Sequence, residues 1–291
     1  THGEQIAAFM LTNPNTCGLF EKDITKISEK LHGLGAYLYC DGANFNAIVG
    51  KAKPGDLGVD VMQFNLHKTF STPHGGGGPG CGPVAVVEGL RPYLPIPHVV
   101  KRDNAYALEV DSPQSIGRIK AFHGHFGMMV RALSYMMSHG SDGLKQVAED
   151  AVLNANYVLH HLQNDYHAPY GARCMHECLI TDKHQKKQSV STLDVAKGLI
   201  EYGYHPMTVY FPLVVSGAML VEPTETESQE SLNGFIATMK HLAYLATKEG
   251  AAEQFKNMPC SAPRRRVDEV AAARSPVLRY RQPAVAAQKQ A

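Results

Sequence analysis

Charge of either sign is not in excess in this sequence, because 28 lysines and arginines balance 27 aspartates and glutamates. A net charge of +1 gives no electrostatic basis for binding nucleic acid, and the one basic cluster, Arg264–Arg266, is typical of a solvated surface. The chain also lacks a run of about 18 apolar residues, which a transmembrane helix needs. We therefore expect neither nucleic acid nor membrane as a partner.

Disulfide and metal frameworks are missing as well. None of the six cysteines forms a Cys-x-x-Cys pair, so we expect reduced thiols. The two histidines of residues 123–125 have no clear further ligand, and a metal ion needs three or four converging groups. The segment Cys174–Cys178 also contains a histidine and a glutamate, but we expect it to be a core strand. The sequence therefore predicts no metal site.

The start of the chain has no signal peptide and no methionine. It begins Thr1-His2-Gly3 and enters apolar sequence at Ile6. We therefore expect the sequence to be a piece of a longer protein.

The first part of the chain has the pattern of an α/β layer. Short apolar runs predict buried strands over residues 6–12, 36–40, 59–66 and 84–87, and apolar spacing predicts a helix over residues 22–34. Strands that are buried on both faces and alternate with a helix indicate such a layer.

The second part of the chain is predicted to be more helical. A proline-rich connection over residues 89–113 leads into it, and Ser191 with Asp194 has the spacing of a capping box. We place a large-domain portion at residues 1–110 and connecting helices with a small α+β domain at residues 111–291. Helices are expected over 115–138, 144–162, 191–203 and from about 226, and strands over 174–180, 208–211 and 218–221.

Two side chains at predicted strand ends suggest a cofactor. Asp41 follows one strand, and Lys68 follows another 27 residues later. In open α/β sheets ligands bind beyond the carboxyl ends of strands. Pyridoxal 5'-phosphate needs an amine to bind its aldehyde and an acid to keep its ring nitrogen protonated. An aspartate in a turn and a surface lysine would give the same pattern, so the neighbouring residues must decide.

A glycine-rich segment follows the lysine. Residues 73–83 read Pro-His-Gly-Gly-Gly-Gly-Pro-Gly-Cys-Gly-Pro, with no Gly-Lys-Ser/Thr ending, so the segment is not a P-loop. Such glycine density costs chain entropy on folding, and glycines let backbone N–H groups approach a phosphate or substrate. A flexible linker is not expected between two buried strands.

These motifs resemble the cofactor region of the glycine decarboxylase P-protein family. The similar segments are Asp41-Gly42-Ala43-Asn44, Asn65 to Phe70 and Pro73 to Gly80. Further similar runs cover nearly the whole chain, including residues 11–21, 153–157 and 221–225. Residues 115–118 and 277–280 resemble the second subunit of the bacterial two-chain form.

The resemblance implies a fold-type I architecture that depends on pyridoxal phosphate. Lys68 would bind the cofactor covalently, Asp41 would pair with the pyridinium nitrogen and Ala43 would pack on the ring. Asn65 and His67 would flank the cofactor, and Thr16 or Asn15 would approach the ring hydroxyl. His74, Gly75 and Gly76 would shape the entrance for the substrate.

The resemblance also implies a reaction and its partners. Glycine would lose CO2, and its aminomethyl group would pass to the lipoyl arm of the H-protein, as in a glycine dehydrogenase (aminomethyl-transferring). The first P-protein subunit would be required, so we expect this stretch alone to bind the cofactor poorly and not to turn over glycine. The expected location is the bacterial cytoplasm, or the mitochondrion of a eukaryote.

Two alternatives stay open at this point. Another fold-type I enzyme, such as a cysteine desulfurase-like or aminotransferase-like protein, has a similar lysine segment, and Cys81 would be the nearby thiol that a desulfurase needs. A non-catalytic assembly subunit would have no need of the Asp41 and Lys68 pairing.

Overall fold

A computed structural model of the chain describes residues 2–280. The first half of this range forms a four-stranded sheet in the order β1-β2-β3-β4, in which β1, β2 and β3 are parallel and β4 is antiparallel. The helix α1 connects the first two strands, and the short helix α2 follows β3 directly. The elements are β1 (Ala8–Thr12), α1 (Ile24–His32), β2 (Tyr37–Gly42), β3 (Val61–Phe64), α2 (Leu66–Thr69) and β4 (Val84–Val86).

The core of this half lies between α1 and the sheet. Ile24 and Leu31 of α1 pack against Leu38, Cys40 and Met62 of the strands. Burial of an aliphatic side chain of this size stabilises the fold by about 1.5–3 kcal/mol. The predicted helix and strands are therefore present, with ends that differ by a few residues.

The two outer strands are less buried than their apolar sequences predict. Phe9 and Met10 of β1 are 45% and 60% exposed, and Val84 of β4 is 52% exposed. Both strands lie at the edges of the sheet, where one side has no neighbouring strand. Leu66 also differs from prediction, because it begins α2 instead of ending the preceding strand.

The predicted connection over residues 89–113 contains an antiparallel hairpin that the sequence analysis missed. Its strands are β5 (His98–Arg102) and β6 (Ala105–Glu109), and both are largely exposed. The turn Asp103-Asn104 is polar, and Asp103 has a φ of 54°. A two-residue turn with positive φ matches the twist of a hairpin.

The segment α3 (Phe126–Leu162) contains two helices joined at a kink, and these correspond to the two helices predicted between residues 115 and 162. The predicted break is confirmed at Gly140, where φ is 63° and ψ is −173°. The predicted start at residue 115 is wrong. Gly117 and Gly124 have φ values of 89° and 102°, which are incompatible with a helix.

The remaining chain forms a smaller sheet with helices around it. The sheet order is β7-β9-β8, and all its pairs are antiparallel. The predicted capping box is confirmed, because Ser191 Oγ accepts from Asp194 N while the Asp194 carboxylate accepts from Ser191 N. The elements are β7 (Cys178–Thr181), α4 (Thr192–Glu201), β8 (Thr208–Val209), β9 (Ala218–Val221), α5 (Gln229–Leu245), α6 (Ala251–Lys256) and α7 (Glu269–Arg274).

The strand expected over residues 174–180 begins only at Cys178, so His176 and Glu177 precede it. The core of the second half joins this small sheet to the carboxyl half of α3, whereas Ala132 near the start of α3 packs on Leu66 and Phe70 of the first half. The helix α3 thus contacts both cores. The domain boundary near residue 110 stays a prediction. Within residues 2–280 no helix is both long and apolar enough to cross a membrane.

Candidate active site

The candidate site lies at the carboxyl edge of the parallel strands. Asp41 is near the end of β2, and Gln63 is its partner in the register of β3. Because β2 and β3 are parallel, both strands end at the same edge. Lys68 follows from β3 after less than one helical turn. The sheet topology therefore brings the predicted carboxylate and amine to one edge.

The Asp41 carboxylate is held by two hydrogen bonds on the same oxygen. Its Oδ1 accepts from the backbone N–H of Ala43 at 2.9 Å and from the side-chain amide of Gln63. Oδ2 is therefore the oxygen that is left for a further proton donor. Sequence analysis named Ala43 for another reason and missed Gln63, whose role depends on the strand register.

Lys68 lies in α2, a single helical turn that is held in place by a backbone hydrogen bond and by buried side chains. Its backbone N–H donates to the carbonyl of Asn65 at 3.0 Å, and Asn65 is the N-cap residue of α2. Leu66 and Phe70 are buried and fix this turn against α3, while Lys68 itself is exposed. The amine is thus displayed on a rigid element.

His67 and His74 form the wall of an open groove beside Lys68. Their rings meet edge to face with centroids 4.7 Å apart. Burial lowers the pKa of His67, and the neighbouring His74 and Lys68 lower it further. The Nδ1 atom of His67 is buried and has no hydrogen-bond partner within the described residues.

The groove has a volume of about 420 Å³ and combines the histidines with the glycine segment. His125, just before α3, also lines it, although the sequence analysis considered His125 only as a metal ligand and set it aside. No sequence signal connects His125 with His67. The lining residues are Gln63, Phe64, Asn65, His67, His74, Gly77, Gly78, Gly80, Cys81, Gly82 and His125.

The glycine segment uses backbone conformations that other residues rarely adopt. Gly75 to Gly78 have φ values of 77°, 55°, 108° and 129°. At Gly75 a side-chain carbon would lie 2.2 Å from the backbone carbon of Gly78, whereas at Gly76 it would meet open space. The tight turn therefore requires glycine at residue 75.

Thr16 lies apart from this groove. It lines a separate pocket with Asn15 and Glu21 on the loop after β1. That loop is nevertheless tied to the one after Asp41, because the Asn44 side-chain amide donates to the carbonyl of Pro14 at 3.0 Å. Of the predicted site residues, the groove thus brings together Asn65, His67 and His74. The strand register and α2 place Asp41, Ala43 and Lys68 at the same edge of the sheet, but these three residues do not line the groove, and neither do Gly75 and Gly76. Thr16 is on a neighbouring loop.

Comparison with known proteins identifies relatives over almost the whole chain. The family model for the glycine dehydrogenase C-terminal domain matches residues 147–264. A probable glycine dehydrogenase (decarboxylating) subunit 2 of Caulobacter vibrioides is 56% identical over 290 residues, which are 98% of this chain and 55% of that protein. The same-named protein of Listeria innocua is 52% identical over 278 residues, 96% of this chain and 57% of that protein.

Solved structures give the same fold. A glycine decarboxylase (P-protein) of the glycine cleavage system, in inhibitor-bound form, has a TM-score of 0.68 at 20% identity, over 82% of this chain and 55% of that one. A cysteine desulfurase from Thermococcus onnurineus has a TM-score of 0.62 at 14% identity, over 83% of this chain and 62% of that one. The fold-type I prediction is confirmed.

The chain spans about half the length of the curated relatives it matches. The matched region nevertheless spans 96–98% of this chain, at 52–56% identity. This chain is therefore similar, over almost its whole length, to part of the glycine dehydrogenase (decarboxylating) subunit 2 of these bacteria.

Proposed function

We propose that this chain supplies the lysine and the acidic residue of a glycine dehydrogenase (aminomethyl-transferring) that uses pyridoxal 5'-phosphate. The observation that carries the proposal is the common edge of β2 and β3, from which Asp41 and the turn with Lys68 both project. The names of the bacterial relatives supply the reaction, decarboxylation of glycine.

The residues at this edge fit the cofactor. A pyridine aldehyde would engage three groups at this edge. They are the exposed amine of Lys68, the Asp41 carboxylate, whose Oδ2 is left for a donor, and His67 Nδ1, which is buried and has no hydrogen-bond partner within the described residues. The glycines with positive φ add backbone N–H groups without side chains in the way. Pyridoxal phosphate, when bound, supplies an aldehyde that reacts with amines and a ring that stabilises negative charge on the carbon next to nitrogen.

Lys68, Asp41 and His67 have separate roles in the proposed reaction. Lys68 Nζ would hold the cofactor through its aldehyde, and the amine freed when glycine takes its place would be available to accept a proton. The Asp41 carboxylate would hold a proton at the ring nitrogen, and the hydrogen bonds that it accepts from Ala43 and Gln63 keep it oriented. His67, whose pKa is lowered, is neutral near pH 7 and offers Nδ1 as a proton acceptor.

Partners follow from the names of the relatives. A "subunit 2" implies a first subunit, and we propose that this P-protein subunit completes the site. The aminomethyl group would leave on the lipoyl arm of the H-protein, which His74 and Gly75 would admit. We propose the bacterial cytoplasm as the location, since the relatives are bacterial.

Covalent trapping of the cofactor tests this proposal. The chain is mixed with pyridoxal phosphate, with and without the first subunit, reduced with borohydride and mapped by peptide mass. We expect one pyridoxyl label on Lys68 that increases in the presence of the first subunit. The variant Lys68→Arg keeps the charge but cannot be labelled in this way, and it should also abolish glycine–CO2 exchange by the assembled enzyme.

A second lysine serves as the matched control. Lys51 is 42% exposed and pairs with Glu149 of α3 at 2.5 Å, and it does not line the groove. Lys51→Arg should leave both labelling and exchange unchanged. A label on any residue other than Lys68 with the first subunit present would refute the assignment, and sulfide release from cysteine in place of glycine exchange would favour a desulfurase.

A further inference from the structure

Several buried polar atoms without partners are concentrated in one place outside the groove. Both ring nitrogens of His176, Oε2 of Glu177 and Oδ1 of Asn46 have no hydrogen-bond partner within the described residues. His176 is 0%, Glu177 4% and Asn46 6% exposed. Buried polar atoms in native proteins are nearly always satisfied, so a cluster of unsatisfied ones indicates a missing ion or water.

These atoms belong to one continuous cluster that includes Glu222. Glu222 Oε1 accepts from the side-chain amide of Asn46 at 3.0 Å and lies 3.8 Å from His176 Nε2. His176 Nε2 also lies 2.7 Å from Glu177 Oε1, but without the direction of a hydrogen bond. One donor atom from each of His176, Glu177 and Glu222 lies within 4.8 Å of the others.

The chemistry of this donor set matches a divalent transition-metal ion. Imidazole nitrogen and carboxylate oxygen are both zinc ligands, and a water takes the fourth position where the protein supplies three ligands. Imidazole favours zinc over magnesium and calcium, which prefer oxygen ligands alone. The buried Glu177 carboxylate lies close to the half-exposed Glu222 carboxylate, and a cation between two such groups offsets the cost of bringing them together out of water.

We propose that His176, Glu177 and Glu222 bind a divalent transition-metal ion of the zinc class. Asn46 supports the site, because its amide holds the Glu222 carboxylate in place. The ion fastens the segment before β7 and the end of β9 to the loop that follows Asp41. This role is structural and does not depend on the proposed reaction.

The site has an entry path. Glu222 is 45% exposed and lines a pocket of about 340 Å³ with Tyr204, His205 and Pro223. A bound ion would therefore exchange with solvent from the Glu222 side, while His176 closes the inner side.

Metal binding by the full chain tests the proposal. After treatment with a chelator, the chain is dialysed against Zn²⁺ and bound metal is measured by mass spectrometry. We expect one ion per chain, and a higher midpoint of thermal unfolding with Zn²⁺. Glu177→Gln and Glu222→Gln, which keep size and remove charge, should each weaken Zn²⁺ binding by about 100-fold or more, and Asn46→Ala by about 10-fold.

Two further variants separate this site from others. His32 pairs with Asp60 at 2.9 Å elsewhere on the surface, so His32→Gln is the matched control and should bind Zn²⁺ as the parent does. Cys174→Ser tests whether a thiol nearby is the true ligand. Loss of Zn²⁺ in Cys174→Ser, unchanged binding in the folded Glu222→Gln chain, or no bound Zn²⁺ at all would overturn the proposal.

Discussion

The side-chain amide of Gln63 donates a hydrogen bond to the Oδ1 atom of Asp41 across the parallel strands β2 and β3. The same oxygen also accepts from the backbone N–H of Ala43. Two donors on one oxygen fix the carboxylate plane. An acid that must meet a ring nitrogen gains from such fixed orientation, because less freedom is lost on binding.

Removing the Gln63 donor should weaken cofactor binding. Gln63→Met keeps the length of the side chain and deletes one hydrogen bond to a charged group, which contributes about 1.5 kcal/mol or more. We expect the Kd for pyridoxal phosphate, measured by absorbance titration of the assembled subunits, to rise by about tenfold. The exposed Gln188 provides the control Gln188→Met, and equal Kd values for the two variants would show that Gln63 does not orient Asp41.

Neighbouring glycines of the loop after His74 should differ in their tolerance of alanine. A Cβ at Gly75 would lie 2.2 Å from the Gly78 backbone, whereas a Cβ at Gly76 meets nothing within 4 Å. Both have positive φ, so each alanine adds strain of about 1–2 kcal/mol, and only Gly75→Ala adds a clash with backbone.

The exchange of CO2 with glycine by the assembled enzyme measures the difference. We expect Gly75→Ala to lose at least about tenfold more activity than Gly76→Ala, because a backbone shift would move the groove wall. Equal losses would mean that the turn is not required in this conformation, and a larger loss for Gly76→Ala would point to a direct contact of that residue with substrate.

Local features of the fold could be predicted from the sequence, because they depend on residues close along the chain. The capping box of Ser191 and Asp194 and the break at Gly140 are examples. Exposure of Phe9 and Val84 could not be predicted, since the apolar pattern does not reveal which strands form the edges of a sheet.

The residues of the candidate site also differ in whether their roles depend on neighbouring or on distant parts of the chain. Asp41 and Lys68 could be selected because each stands in a recognisable segment at a strand end. The roles of Gln63, His125 and Glu222 could not be predicted, because they depend on strand register or on chain folding. Glu222 lies 45 residues beyond Glu177 in the chain, so only the pairing of β7 with β9 brings the two together.

A dependence of stability on pH is expected from His67. Its folded pKa is lowered, first by burial and then by His74 and Lys68, so the folded chain binds the proton less tightly than the unfolded chain. Above the ordinary histidine pKa of about 6.5, His67 is neutral in both states and its lowered pKa does not change the free energy of unfolding. As pH falls below that value, the unfolded state takes up the proton first, and the folded state loses stability until the pH passes the lowered pKa.

Substitution of His67 should therefore flatten the acid side of the stability curve. We expect the urea midpoint of the parent chain to fall more than that of His67→Gln between about pH 7.5 and about pH 5.5, where the ordinary histidine titrates. His123 is exposed, so the urea midpoint of His123→Gln should change with pH as the midpoint of the parent chain does. Parallel curves for the parent and His67→Gln would contradict the lowered pKa, because a histidine with equal affinity for protons in both states cannot change the slope.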